Sequence, residues 1–124
     1  MMAQMVPTLL LVDDDPIFRS LATELLLDLG IELVEHAGSA AAALAKAQIM
    51  RPAAALVDVG LPDRCGIELA RELAALPWRP AVVLTSTDRD AAAGLGRSRA
   101  DRRLAFIPKD ELPEPPLSRL LQLG

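Results

Sequence analysis

Four apolar runs end in side chains that can do polar chemistry. Asp13-Asp14-Asp15 close the run Leu9 to Val12, and Asp58 closes Ala53 to Val57. Thr85-Ser86 close Ala81 to Leu84, and Lys109 follows Leu104 to Ile107. Carboxylates held close together repel unless a cation neutralises them. A hard divalent cation takes oxygen ligands, and Mg²⁺ commonly uses one or two carboxylates with waters and phosphate oxygens. A lysine adds a compact positive charge suited to phosphate, and a threonine adds a hydroxyl. Together these residues describe a site for a phosphoryl group beside a metal, on a carboxylate able to act as a nucleophile. That chemistry exists only if the fold brings the four run ends together.

The pattern along the chain predicts that it does. Short apolar runs alternate with helix-length amphipathic segments, giving (βα)₅ and a parallel sheet with helices on both faces. In such a sheet all four run ends are carboxyl ends of strands, the edge where open α/β sheets bind ligands. Strands one, three and four are apolar throughout and should be central, whereas Ile31 to His36 alternates and suits an edge. A first helix starts at Pro16, is capped by Asp15, and ends at Gly30. Ile17, Leu21, Leu25 and Leu29 mark its apolar face. Ser39 caps a second helix with Ala41, Leu44, Ala45 and Gln48 on one face, and a third carries Ile67, Ala70, Leu73 and Ala74. A fourth helix over Asp88 to Ser98 is weakened by Gly94 and Gly96, about 1 kcal/mol each relative to Ala. A short last helix is expected over Leu117 to Leu123.

Composition narrows the function classes. The chain has 124 residues, enough for one domain, and 52% are hydrophobic, which excludes wholesale disorder. Phe18, Trp78 and Phe106 are its only aromatic residues, too few for base-stacking platforms. A net charge of −4 argues against direct nucleic-acid binding. Cys65 stands alone, so neither a disulfide framework nor a cysteine zinc site is available. The first apolar run is too short for a signal segment or a membrane span. A cytoplasmic setting is therefore expected.

Four stretches carry a resemblance to a known family. They are Leu9-Leu10-Leu11-Val12-Asp13-Asp14-Asp15-Pro16, then Leu56-Val57-Asp58-Val59-Gly60-Leu61-Pro62-Asp63-Arg64-Cys65-Gly66, Val82-Val83-Leu84-Thr85-Ser86, and Phe106-Ile107-Pro108-Lys109. In this order they resemble the receiver domain of two-component response regulators, over nearly the whole chain. The resemblance implies a flavodoxin-like (βα)₅ sandwich with strand order 2-1-3-4-5. It implies a single receiver domain over residues 1–124, with no effector domain in this chain. Asp58 would accept a phosphoryl group from a sensor histidine kinase or a phosphotransfer protein, forming an aspartyl phosphate. Asp14 would ligate Mg²⁺ directly and Asp13 would assist through water. Asp58 and the main-chain carbonyl of Val59 would be further ligands. Lys109 would contact the phosphoryl oxygens. Thr85 would turn its hydroxyl toward the phosphoryl group and Phe106 would follow it inward. That pair is the expected switch, read on the face made by helix four, strand five and helix five. Such a domain is a self-catalysed phosphoacceptor rather than a turnover enzyme. A phosphorylation-dependent homodimer is among the assemblies the family allows.

The sequence departs from the family at its output side. The residue after Lys109 is Asp110, where the family usually has a proline reached through a cis peptide. A cis bond before a non-proline residue costs about 2.5–4 kcal/mol. Asp101-Arg102-Arg103 stand where a Gly-Ala pair is usual. Two other function classes compete. One is a phosphorylation-independent docking module on the same fold, which a small phosphodonor would distinguish. The other is a small phosphatase of the haloacid dehalogenase type. Its Asp-x-Asp-x-Thr signature is half present, with Ile17 in place of the threonine.

Overall fold

The computed structural model describes residues 8–91 and 104–112. Its elements are β1 (Thr8–Val12), α1 (Pro16–Asp28), β2 (Leu33–Ala37), α2 (Ala40–Met50), β3 (Ala54–Asp58), α3 (Gly66–Ala74), β4 (Ala81–Ser86) and β5 (Leu104–Pro108). The strands form one parallel sheet in the order β2-β1-β3-β4-β5. The apolar strands β1, β3 and β4 are central, and the alternating β2 is an edge, as the pattern predicts. The expected fourth helix lies mostly outside the described residues, and the expected last helix lies entirely outside them.

Strand side chains alternate between the two faces, and each face has its own core. Leu10, Val12, Ala55, Val57, Val82 and Leu84 pack against α2 and α3. Leu9, Leu11, Ala54, Leu56, Val83 and Ile107 pack against α1. Both cores are aliphatic, as an aromatic-poor sequence requires.

Helix starts follow the capping expectations. The Asp15 side chain accepts a hydrogen bond from the Ile17 N–H at 2.9 Å, with Pro16 in the first turn. Gly30, at φ +103°, lets the chain turn after α1. The apolar faces of α1 and α2 lie one residue from the expected ones. On α1 the buried residues are Ala22 and Leu26, whereas Ile17 and Leu21 are 71% and 62% exposed. On α2 the buried residues are Ala40, Ala43 and Ala47. The sheet-facing side of α2 is made of alanines, which allow close approach of helix and sheet, whereas α1 seats Ala22 and the larger Leu26 there. The displaced α1 residues Ile17 and Leu21 line a groove of about 600 Å³ with Phe18, Leu25 and Lys109.

The start of α2 is capped twice. Ser39 Oγ accepts from the Ala42 N–H at 3.2 Å. Asp63, from the loop after β3, accepts from the N–H groups of Ala40 and Ala41 at 2.9 and 3.0 Å. Those two backbone bonds hold the Asp63 carboxyl below the usual carboxylate range. A depressed folded pKa stabilises the fold above the unfolded value of about 3.9 and loses that effect as pH falls through the folded value. Asp63→Ala should therefore lower the melting temperature at neutral pH and flatten its fall in acid. Thermal denaturation between pH 7 and 3 checks this, and identical curves for the two proteins would contradict it.

His36 is half-buried. Thr23 Oγ1 donates to the Arg19 carbonyl at 2.7 Å and lies 2.8 Å from His36 Nε2. The hydroxyl proton is already used, so Nε2 carries the proton of this contact. Burial first, then Arg19 and Lys46, push the imidazole pKa down.

Candidate functional site

The site grows out of the α1-facing core. Continuing each strand's alternation by one step places Asp13 after Leu9 and Leu11, and Asp58 after Ala54 and Leu56. Thr85 follows Val83 in the same way, and Lys109 follows Ile107. The rows that bury leucine and valine along the sheet thus deliver the acids, the hydroxyl and the ammonium to its carboxyl edge. Asp58 and Thr85 are direct register partners across β3 and β4.

Asp13, Asp14 and Asp58 each present a carboxylate oxygen within 4.8 Å of the others. Asp13 is fully buried, and its side chain accepts from the Asp15 N–H at 2.9 Å. Its other oxygen, Oδ2, lies 2.8 Å from Lys109 Nζ, an ion pair without hydrogen-bond alignment. The Arg19 guanidinium donates to the Asp13 carbonyl at 2.6 Å and fixes the backbone there. Lys109 Nζ is 3.9 Å from Asp58 Oδ2. Burial and the neighbouring charge of Asp13 push the Asp58 carboxyl up, while Lys109 and the Gly60 N–H oppose them. Its ionised form therefore costs the fold free energy that an incoming cation would relieve.

Thr85 Oγ1 is buried and has no hydrogen-bond partner among the described residues. An unpaired buried hydroxyl costs about 1–3 kcal/mol. Thr85→Val should recover part of that cost and raise the melting temperature by several degrees for a chain of this size. A melting temperature below wild type would contradict this.

The donor set fits a hard divalent cation. It consists of three carboxylates, and one buried oxygen in it receives no hydrogen bond. The Val59 carbonyl, expected as a ligand, instead accepts from the Gly66 N–H at 2.8 Å. That bond closes the antiparallel bridge Gly60–Cys65 and turns the carbonyl into the loop.

Phe106 is not brought into the cluster. It pairs with Leu84 in register and is partly buried on the face covered by α2 and α3. Sequence reasoning assigned no role to Arg19, Phe18 or Gly66, all of which bear on the site. A Cβ on Gly66 would lie 2.0 Å from the Asp58 carbonyl oxygen, so only glycine lets α3 start this close to the acceptor strand. Its place eight residues after Asp58, at a helix start, was the available signal. Phe18 sets its ring 4.2 Å from Lys109 Nζ.

This geometry has known counterparts. A model of the response regulator receiver domain matches residues 9–110. The chain belongs to that family. The receiver domain is 42% identical over 84 residues to the DNA-binding transcriptional activator DevR/DosR of Mycobacterium tuberculosis, covering 66% of this chain and 39% of that protein. It is 33% identical over 101 residues to the transcriptional regulatory protein PdtaR of the same organism, covering 81% of this chain and 48% of that protein. This chain thus spans less than half the length of either relative. The receiver domain of NtrX from Brucella abortus matches with a TM-score of 0.73 at 28% identity, covering 94% of this chain and 99% of that one. The receiver domain is a two-component signalling domain, and the flavodoxin-like strand order that the family resemblance implies is the one observed. Among the described residues no helix is long and apolar enough to cross a membrane.

Proposed function

We propose that this receiver domain accepts a phosphoryl group on Asp58 from a histidine kinase or phosphotransfer protein, in a Mg²⁺-dependent reaction. The observation that carries this reading is the convergence of Asp58 with Asp13, Asp14 and Lys109 at one sheet edge. An Asp58 oxygen attacks phosphorus, and the donor's P–N or P–O bond breaks as the acyl phosphate forms. Lys109, 3.9 Å away, is placed to meet the transferred oxygens. The unpaired Thr85 hydroxyl, in register with Asp58, is a donor held ready for one of them. Asp13, Asp14 and Asp58 would hold the cation, which supplies neutralisation of the charge developing on the phosphoryl oxygens. The Gly60 carbonyl is proposed as the loop ligand in place of Val59. Gly60 sends its N–H to Asp58 and so lies beside the acceptor.

The proposed output is a changed surface around the ends of β4 and β5, with Thr85 and Phe106 as the switch. Hydrogen exchange with and without beryllofluoride should change protection at Thr85 and Ser86 and over Leu104 to Lys109. Equal change over α1 and α2 would contradict it.

Metal binding is tested separately. At about tenfold above its dissociation constant, Mg²⁺ should add roughly 1.4 kcal/mol of stability. For this size that is on the order of 3–6 °C in melting temperature. Asp14→Ala should remove the shift. A wild-type melting curve unmoved by tens of millimolar Mg²⁺ contradicts the metal site. Labelling of the chain by acetyl phosphate should likewise stop when the metal is removed with EDTA.

A further inference from the structure

Lys109 is not aimed by a cis peptide, for there is none among the described residues. A 3₁₀ turn over Lys109–Glu111 follows β5, pinned below by the buried Leu112. At the surface Arg89 pairs with Asp110 at 2.8 Å and also with Glu111. These contacts hold the backbone, but a lysine ammonium rides on a flexible four-carbon stem. Three groups surround it: Asp13 Oδ2 at 2.8 Å, Asp58 Oδ2 at 3.9 Å and the Phe18 ring centroid at 4.2 Å. The apolar groove lined by Ile17, Leu21 and Leu25 opens beside it.

Left to the carboxylates and the groove, the ammonium has two unproductive positions. It can close fully onto Asp13, or swing out to water. A cation within about 6 Å of an aromatic face is held there by the ring quadrupole. The Phe18 ring is itself fixed, because it comes from the first turn of α1 and packs on the Leu9, Leu11 and Leu26 cluster. We infer that Phe18 is a positioning residue, whose ring seats the Lys109 ammonium within reach of a phosphoryl group on Asp58. The inference deepens the proposed function and rests on it for its kinetic part. Phe18 touches no reacting atom and acts only through Lys109.

The test separates ring electrostatics from packing. Lys46 and Lys109 are the chain's only lysines, so Lys46→Arg assigns their methylene resonances. The Lys109 ε-methylene signals should lie upfield of those of Lys46 through the ring current, and should return downfield in Phe18→Leu. In the full chain with Mg²⁺, phosphorylation by acetyl phosphate should slow about threefold to tenfold in Phe18→Leu and recover in Phe18→Tyr. Mono-, di- and trifluorinated phenylalanine at position 18 keep the ring's shape while draining its quadrupole. They should slow the reaction stepwise at unchanged melting temperature. A trifluorinated protein as fast as wild type would overturn the inference, as would Lys109 signals unmoved by Phe18→Leu. If wild type accepts no phosphoryl group at all, the proposed function and the kinetic role fall together. The resonances then still decide whether the ring seats the ammonium.

Discussion

Gly66→Ala is expected to lower the melting temperature by on the order of 10 °C or more, and to take phosphoryl acceptance down with it. The added Cβ would meet the Asp58 carbonyl oxygen at 2.0 Å, the Val59 Cα at 2.7 Å and the Asp58 carbonyl carbon at 2.8 Å. All three are backbone atoms, so no flexible side chain can move aside. Overpacking of this kind costs about 1–3 kcal/mol and sometimes more. The strand end that must shift is the one carrying Asp58. The Gly66 N–H to Val59 carbonyl bond that closes the loop is lost with it. Thermal denaturation and phosphodonor labelling measure the two effects. A variant that melts with wild type and is labelled equally well would contradict the close approach.

Asp58→Asn is expected to abolish phosphoryl acceptance and yet stabilise the fold. Burial and Asp13 raise the Asp58 pKa, so in the native state its ionised form is held at a cost. A carboxyl whose folded pKa is raised binds its proton more readily when folded than when unfolded. Its contribution to stability therefore falls as pH rises from the unfolded value of about 3.9 through the folded one. The amide removes that loss. The variant should melt above wild type at neutral pH, with the gap closing as pH falls toward 4. A variant less stable than wild type at pH 7 would mean that Lys109 outweighs burial and Asp13.

Much of the site was legible because strand alternation carries it. Once Leu9 and Leu11 are read as one row, Asp13 belongs to that row, and Asp58, Thr85 and Lys109 follow by the same rule. The edge position of β2 was legible in the alternation from Ile31 to His36. Helix faces were harder to read. From Pro16 to Leu29 leucines stand at 21, 25, 26, 27 and 29, so two adjacent stripes look equally apolar. In α2 the run of alanines gives almost no contrast. Phe18 was hidden by the first of these ambiguities, one position from the expected stripe. The direction of the Val59 carbonyl has no side-chain signature and is set by the hydrogen bond to Gly66. The closeness of α3 to β3 is likewise a backbone property, written only as a glycine.

The central claim is that Asp58 is the acceptor. Its most direct test is intact-mass analysis of the full chain after acetyl phosphate and Mg²⁺, followed by borohydride trapping and peptide mapping. One phosphoryl group on Asp58, absent in Asp58→Asn, is the predicted result. A group mapped to Asp13 would contradict the account and favour phosphatase-type chemistry. An unmodified chain with Mg²⁺ bound would contradict it in favour of a docking module.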